Sequence, residues 1–190
     1  MKIAFIGCDG SGKSTLAQRV IKELKKRGHK TEYRHQYNYF LSNTLGKTIR
    51  KRKKITRRTK KEKFYYKLWL FVVYPNFLFD WLWSKITKRN RFFVSDRYVY
   101  DLMIGWDLQG RLNFLSRVMF QNFPKPDRIF LTDAKPQTLY RRRGNEYPSM
   151  DFCKKKRNLY LRFAKKKRIK VINTEKNIDA CVKEIMESIV

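Results

Sequence analysis

The sequence has little cysteine, histidine or acidic side chain, and each shortage limits what the protein can be. The three cysteines, Cys8, Cys153 and Cys181, stand at unrelated spacings, which predicts neither a disulfide framework nor a zinc site. Thiols of this kind favour a reducing, cytoplasmic location. The two histidines, His29 and His35, form no metal-ligand cluster in the sequence. The apolar run at residues 3–6 leads straight into glycines, so it does not predict a signal peptide.

The shortage of acidic residues makes the chain strongly basic. Lys and Arg number 46 against 16 Asp and Glu, which gives a formal net charge of +30. Such a charge attracts polyanions: nucleic acid, an acidic membrane surface or a multiply phosphorylated substrate. A basic surface with no dedicated partner is the alternative interpretation, because net charge governs solubility and encounter rates rather than fold.

Short apolar runs alternate with segments of helical periodicity along the chain. This alternation predicts a parallel sheet with helices on both faces. We expect one domain over residues 1–190, with a basic and aromatic helical segment at 41–90. Strands are predicted at residues 2–6, 31–34, 91–95, 128–132 and 169–172, and helices at residues 13–27, 100–121, 136–143, 151–167 and 178–189. Residues 64–86 predict two helices or one helix kinked at Pro75-Asn76.

Residues 7–14 read Gly-Cys-Asp-Gly-Ser-Gly-Lys-Ser and fit a phosphate-binding loop at every fixed position. A predicted strand precedes the loop and a predicted helix follows it. The glycines let backbone N–H groups turn inward around phosphate oxygens, and the helix adds its positive N-terminal end. Lys13 can reach the β- and γ-phosphates, and Ser14 offers a hydroxyl to Mg²⁺. The motif predicts ATP and Mg²⁺ as ligands, bound by Gly10, Ser11, Gly12, Lys13, Ser14 and Thr15.

Two further groups of charged residues fit phosphate chemistry. The third predicted strand ends in Ser95-Asp96-Arg97-Tyr98, which supplies a metal or base partner beside an anion clamp. A surface ion pair is the alternative for Asp96 and Arg97. Three consecutive arginines, Arg141 to Arg143, follow the fourth strand, and a solvated helix face is their alternative interpretation.

With these motifs in place, the sequence resembles the thymidylate kinase-like P-loop phosphotransferases of the nucleoside and nucleotide kinase superfamily. The resemblance rests on the acidic Asp9 inside the loop and on Asp96-Arg97-Tyr98. It also rests on residues 126–171, which repeat the order of a strand ending in Asp133, a helix, an arginine-bearing lid, a helix and a strand. It implies a three-layer α/β sandwich with a five-stranded parallel sheet in the order 2-3-1-4-5, and a short lid at about residues 141–150.

The resemblance also implies roles for individual residues. Asp96 would lie near Mg²⁺ or the acceptor oxygen, Arg97 would clamp the acceptor's phosphate, and Asp9 would face the acceptor. An arginine of the lid would stabilise charge on the transferred group. The expected catalytic residues are Lys13, Asp96, Arg97 and Arg142; Arg141 and Arg143 join the ATP contacts; Ser14 and Asp96 are the metal ligands; and Asp9, Arg34, Arg97, Tyr98 and Asp101 are the acceptor contacts.

The sequence departs from the family pattern on the acceptor side. Thymidylate kinases carry Arg-Glu-Pro-Gly after the second strand, whereas residues 34–38 here read Arg-His-Gln-Tyr-Asn. Asp80-Trp81-Leu82 stands where the family has an arginine near the acceptor phosphate. The polar groups expected to recognise thymine are therefore not evident, and the acceptor stays open.

Three functions remain open at this point. The first is ATP-dependent transfer of the γ-phosphoryl group to a nucleotide-like phosphorylated acceptor. The second is a nucleic-acid kinase or nucleic-acid-dependent NTPase, which would use the basic runs at residues 47–63 and 154–170 with Tyr33, Tyr37, Tyr39 and Phe40 as stacking platforms. The third is a membrane-surface kinase acting on a lipid-linked or glycan acceptor through the aromatic residues 64–83. That aromatic stretch also fits a protein core or a homodimer interface.

Overall fold

The computed structural model describes residues 1–35, 74–75, 78–79, 81–82, 86 and 91–189. The expectations for the basic run at 47–63, the aromatic stretch at 64–83 and the stacking residues Tyr37, Tyr39 and Phe40 lie wholly or mostly outside these residues. The chain divides into two compact units. One comprises Met1–His35, Asn90–Leu112 and Lys125–Val190, and the other comprises Gln36–Arg89 and Asn113–Pro124. Within the described residues, no helix has the length and hydropathy needed to cross a membrane.

The first unit is built on a five-stranded parallel sheet. Its order is β2-β3-β1-β4-β5, as the resemblance implied. The central strand β1 contains four residues, 3–6, that are fully buried, because both faces of a central parallel strand are covered. The bounds agree with the predicted strands to within one residue: β1 Lys2–Gly7, β2 Thr31–His35, β3 Phe92–Asp96, β4 Arg128–Asp133 and β5 Lys170–Asn173.

Amphipathic helices cover this sheet. Leu16, Val20 and Leu24 recur at helical spacing in the first helix, and they pack with Ile185 of the last helix in one buried cluster. The fifth helix contacts the second and the fourth. The helices of the first unit are α1 Lys13–Lys26, α2 Val99–Leu108, α4 Pro136–Arg143, α5 Met150–Lys167 and α6 Ile178–Met186, with a 3-10 turn at Gly144–Glu146 between α4 and α5. The remaining helix, α3 Phe114–Gln121, belongs to the second unit.

The prediction of one helix over residues 100–121 is wrong, because the chain forms α2 and α3 there. Gly110 adopts φ +62° just after α2, and the Arg111 N–H donates to the Trp106 carbonyl at 2.8 Å, which closes the helix end. A new helix then begins at Phe114, capped by Asn113, whose side-chain oxygen accepts the Ser116 N–H at 2.8 Å. Hydrophobic periodicity continues across both segments, so it did not reveal the break.

The parallel arrangement brings all five strand ends to one edge of the sheet. Gly7, His35, Asp96 and Asp133 end β1, β2, β3 and β4, and Asn173 ends β5. Ligands of open parallel α/β sheets bind beyond this carboxyl edge. The functional residues of the first unit are therefore to be sought there.

Candidate functional site

The loop between β1 and α1 is a tight backbone turn. Gly7 has φ +147°, and a Cβ built there would lie 2.4 Å from the backbone oxygen of Thr132, so no larger residue fits. The Ser11 N–H donates to the Cys8 carbonyl at 3.1 Å, and the Ser11 hydroxyl lies 2.7 Å from that of Thr132. Gly12, with φ +81°, precedes α1, and no side chain caps the first turn of that helix. The positive end of α1 is therefore presented by backbone N–H groups alone.

Lys13 is the first residue of α1 and lies almost wholly out of water, at 5% exposure. Its ammonium group donates to the carbonyls of Gly7 at 2.9 Å and Cys8 at 2.5 Å. Burial, together with the nearby charge of Arg97, lowers the pKa of Lys13 to about 8. The lysine of the motif therefore packs against the backbone of its own loop.

A cavity of about 600 Å³ lies beyond the loop. It is mostly polar in character and combines residues from the loop, the β3 end, α4 and the segment after β5. Nine predicted site residues line it: Asp9, Gly10, Gly12, Lys13, Ser14, Thr15, Arg97, Arg142 and Arg143. Seven further residues complete the lining: Leu16, His35, Glu146, Thr174, Lys176, Ile178 and Cys181.

Arg97 and Asp9 form an ion pair at the wall of this cavity. Arg97 has φ +78°, a left-handed conformation that is uncommon for a residue with a side chain. Its N–H donates to the Phe5 carbonyl at 2.9 Å, and its guanidinium donates to Asp9 Oδ1. Burial alone would raise the pKa of Asp9, but the charges of Lys156 and Arg97 outweigh burial and hold that pKa well below its ordinary range. Asp9 therefore stays ionised.

Asp96 ends β3 and is 1% exposed. The Tyr33 hydroxyl donates to its Oδ2 at 3.0 Å, whereas Oδ1 is buried and has no hydrogen-bond partner among the described residues. An unpartnered carboxylate oxygen is the kind of ligand that Mg²⁺ takes, together with a hydroxyl such as that of Ser14, phosphates and water. The described residues include no group of three or more His, Cys, Asp or Glu side chains that would hold a metal by themselves. Ser14 lines the cavity but Asp96 does not, so the shared Mg²⁺ site of these two residues stays a prediction.

Asp101 and Tyr98, two predicted acceptor contacts, are buried next to the loop. The Asp101 carboxylate accepts from the N–H groups of Gly7 at 3.2 Å and Tyr98 at 2.9 Å, and from the Tyr160 hydroxyl at 2.7 Å. These bonds join the loop, the start of α2 and α5. Neither residue is part of the cavity lining. Their contact with an acceptor stays a prediction, while the structure gives Asp101 a role in fixing the loop.

The arginines occupy different positions. Arg142 donates to the Gly10 carbonyl at 3.3 Å, and Arg143 lies 3.7 Å from Glu146, so both meet the cavity. Arg141 is exposed on the same helix and lies outside the lining. Arg34 pairs with Glu32 at 3.0 Å and lies over the Phe93 ring, also outside the lining. The structure therefore brings Arg142 and Arg143 to the loop, and not Arg141 or Arg34.

Two basic residues of α5 that the sequence did not single out form ion pairs with carboxylates next to the cavity. Lys156 donates to Asp9 Oδ2. Arg157 forms a two-bond pair with Asp133, at 2.9 Å and 2.7 Å. The sequence did hold a signal, because both residues fall between the buried positions Cys153 and Tyr160, on the side of the helix where apolar residues belong.

Arg157 supports the far wall of the cavity. It holds the side chain of Asp133, and the backbone carbonyl of Asp133 accepts both the N–H of Thr174 at 2.8 Å and its hydroxyl at 3.0 Å. Thr174 in turn lines the cavity. Arg157 thus contributes to the shape of the cavity without reaching it.

Cys8 lies within the loop, 3% exposed. Burial raises the pKa of its thiol to about 12, so the thiol stays protonated at neutral pH. This favours a small filler side chain over a reactive one.

The glycine loop, the buried lysine and the parallel sheet with its cavity at the carboxyl edge define a P-loop α/β protein. Residues 5–185 match the family model described as thymidylate kinase. The chain therefore belongs to the thymidylate kinase family.

Two curated relatives bear the name probable thymidylate kinase. The one from Sulfolobus acidocaldarius is 32% identical over 98 residues, covering 48% of this chain and 50% of its own length. The one from Sulfurisphaera tokodaii is 28% identical over 136 residues, covering 70% of this chain and 63% of its own length. The matched part of the chain thus spans one half to 63% of these relatives.

Solved structures share the fold over the full chain. Thymidylate kinase from Ehrlichia chaffeensis superposes with a TM-score of 0.70 at 17% identity, covering 100% of this chain and 98% of that one. Deoxyadenosine kinase from M. mycoides, solved with dCMP as product and a flexible dCDP, gives a TM-score of 0.65 at 17% identity and the same coverage. At this level of identity the likeness concerns the fold.

Proposed function

We propose that this protein is an ATP-dependent kinase that transfers the γ-phosphoryl group to a phosphorylated, nucleotide-like acceptor. One observation carries the proposal: Lys13, Arg97 and Arg142 converge on one cavity at the start of α1. Three cations and a helix N-terminus around one space match the charge of a triphosphate meeting a second phosphate. Membership of the thymidylate kinase family supports the same activity.

The residues of the loop would hold the donor. Backbone N–H groups at residues 10–15 would bind the phosphate oxygens, and Lys13 would exchange the carbonyls of Gly7 and Cys8 for the β- and γ-phosphates. Arg142 would neutralise charge that develops on the transferred group. Ser14 and Asp96 would hold Mg²⁺, which draws negative charge from the phosphate oxygens when it is bound.

The acceptor would lie on the side of Asp9 and Arg97. A guanidinium binds phosphate through paired hydrogen bonds, so Arg97 suits the phosphate of a nucleoside monophosphate. The named relatives are thymidylate kinases, and the M. mycoides structure holds dCMP and dCDP as products of a deoxyadenosine kinase. These relatives favour deoxynucleotides as the first acceptors to test, with dTMP foremost.

A coupled assay tests the proposal directly. Wild-type protein with Mg-ATP is offered dTMP, dCMP, dAMP, dGMP and their ribose counterparts, and turnover of at least one is expected. Lys13→Ala should lower the rate with that acceptor by roughly 10²-fold or more, because it removes the charge that meets the β- and γ-phosphates. Full activity of Lys13→Ala, or no turnover of any nucleotide, would overturn the proposal.

The other two functions stay alternatives that the described residues do not favour. The aromatic stretch on which the membrane function depended lies mostly outside the described residues, as does the basic run at 47–63. Homodimer formation and a cytoplasmic location likewise stay predictions. If the nucleotide panel fails, binding of RNA or DNA at low salt is the next measurement.

A further inference from the structure

Asp9 is an acidic residue inside a loop that serves phosphates, and both its oxygens are paired with cations. Oδ1 accepts from Arg97, and Oδ2 accepts from Lys156 on α5, 147 residues away in the chain. The side chains are 13% exposed for Asp9 and 15% for Lys156, so water screens this pair little. Asp9 and Arg97 line the cavity, whereas Lys156 lies outside the lining, behind Asp9.

Tyr147 contacts both members of the Asp9–Lys156 pair. Its hydroxyl donates to the backbone carbonyl of Asp9, and the Lys156 ammonium lies 5.5 Å from the centre of its ring. That distance allows a cation–π contact. Tyr147 is 5% exposed and lies three residues before the start of α5. Lys156 is therefore fixed both by the carboxylate and by an aromatic face.

The charges of Asp9 and Arg97 explain why Lys156 is needed beside them. An ionised Asp9 in the loop repels the triphosphate, and Arg97 alone would only neutralise it. With Lys156, the group of three charged residues carries a net charge of +1. An approaching phosphate then meets a positive cluster, even though one of its members is a carboxylate.

We propose that Lys156 is a positioning residue of the phosphate site, which acts through Asp9. It compensates the charge of the Asp9 carboxylate and fixes that side chain, and the fixed carboxylate orients the Arg97 guanidinium toward the cavity. This inference rests on the proposed function, because it assumes that the cavity receives a triphosphate. Lys156 itself does not contact the phosphates.

A double-mutant cycle tests the route through Asp9. The dissociation constant of Mg-AMP-PNP is measured by calorimetry for wild type, Lys156→Met, Asp9→Asn and the double variant. We expect Lys156→Met to weaken binding about tenfold, which is a modest electrostatic coupling. In the Asp9→Asn background Lys156 has no carboxylate to fix, so the same substitution removes only the long-range attraction of one charge and should weaken binding by about threefold or less.

Three controls make the cycle specific. Lys156→Arg keeps the charge and should restore binding to within about threefold of wild type. Lys155→Met removes an exposed charge from the neighbouring position and should leave the affinity unchanged. Thermal unfolding of each variant identifies any loss due to misfolding, and the double variant, which removes both charges of the pair, should fold even if Lys156→Met is unstable.

The outcomes separate the inference from the function. The inference is wrong if wild type binds Mg-AMP-PNP and Lys156→Met binds it equally well. It is also wrong if the Lys156→Met substitution weakens binding by the same factor in the Asp9→Asn background as in the wild-type background. If wild type does not bind the nucleotide, the proposed function is wrong. In that case ¹³C NMR titration of the Asp9 carboxyl tests whether Lys156 compensates its charge. The pKa of Asp9 must then rise in Lys156→Met, and an unchanged pKa of Asp9 overturns the inference.

Discussion

Lys13 is a charged side chain that the fold keeps almost entirely out of water. Its hydrogen bonds to the carbonyls of Gly7 and Cys8 replace only part of its hydration, so its pKa falls to about 8. Phosphate oxygens favour the protonated form, so binding of a triphosphate should raise this pKa again. Lys13 is therefore one residue through which a change of pH acts on the site.

This predicts a pH dependence of nucleotide affinity. Above about pH 8, free Lys13 loses its proton, and binding must restore it, so affinity should fall by up to about tenfold for each further pH unit. The terminal phosphate is already ionised above pH 7 and adds little to this change. Calorimetry with Mg-AMP-PNP between about pH 7 and pH 9.5, in buffers of different ionisation enthalpy, should show proton uptake.

The matched control for this prediction is Lys13→Arg. Arginine stays protonated throughout this range, so any affinity that remains in the variant should not vary with pH. A flat profile in the wild type would contradict the low pKa of Lys13.

Arg157 and Asp133 provide a second prediction at the residue scale. Their side chains are 25% and 15% exposed, and two hydrogen bonds join them. Arg157→Met should destabilise the protein by about 2 kcal/mol, because the largely buried Asp133 side chain would lose both hydrogen bonds from Arg157. Chemical denaturation measures the loss. Arg157→Lys keeps the charge but not the paired geometry, and should lie between Arg157→Met and wild type; a wild-type stability for Arg157→Met would contradict the structure.

At the scale of secondary-structure elements, the turn from β1 into α1 controls the site. Gly7 lies in register with Thr132 of β4, and the close approach of the two backbones leaves no room for a side chain. The carboxylate of Asp101 accepts the Gly7 N–H, so α2 also fixes this turn. The loop is therefore held by two neighbouring elements and by its own strand.

Two glycine substitutions test this account. Gly7→Ala should destabilise the protein by about 2 to 4 kcal/mol, through the positive φ and the collision with the Thr132 carbonyl. Gly105→Ala is the matched control: Gly105 lies inside α2, and an added Cβ meets nothing within 4 Å. It should stabilise the helix by about 0.5 to 1 kcal/mol. Thermal unfolding of both variants is the measurement, and equal effects would contradict the turn geometry.

On the scale of the whole molecule, the dominant property is the net charge of +30. A field of this sign attracts phosphorylated ligands before any contact forms. It also explains how a carboxylate, Asp9, can be accommodated in a phosphate loop, since cations surround it.

Association with a triphosphate should consequently depend on salt. Stopped-flow measurement with a fluorescent ATP analogue should show the association rate falling several-fold between about 20 mM and about 300 mM KCl, as screening shortens the reach of the charges. The dissociation rate should change much less, because it depends on contacts within the cavity. An association rate independent of salt would show that the net charge does not steer the ligand.

Much of the donor side could be predicted from the sequence. The loop is contiguous, so its motif alone places residues 10–15 at a helix start. Asp96 and Arg97 follow a short apolar run, and parallel strands bring their ends together. The break between α2 and α3 was missed, because apolar spacing continues through it and the turn at Gly110 is a local event.

The sequence by itself determined the parallel sheet and the phosphate loop, because both depend on local pattern and short-range order. The strand order was predicted only through the resemblance to a family. Only the tertiary structure decided which cations meet that loop. It brought Arg142 rather than Arg141 to Gly10, and it paired Asp9 with Lys156 across 147 residues. In a chain with 46 basic residues, composition does not distinguish one lysine from another. Burial beside a carboxylate does distinguish Lys156 from the other lysines, because a largely buried charge needs a specific partner.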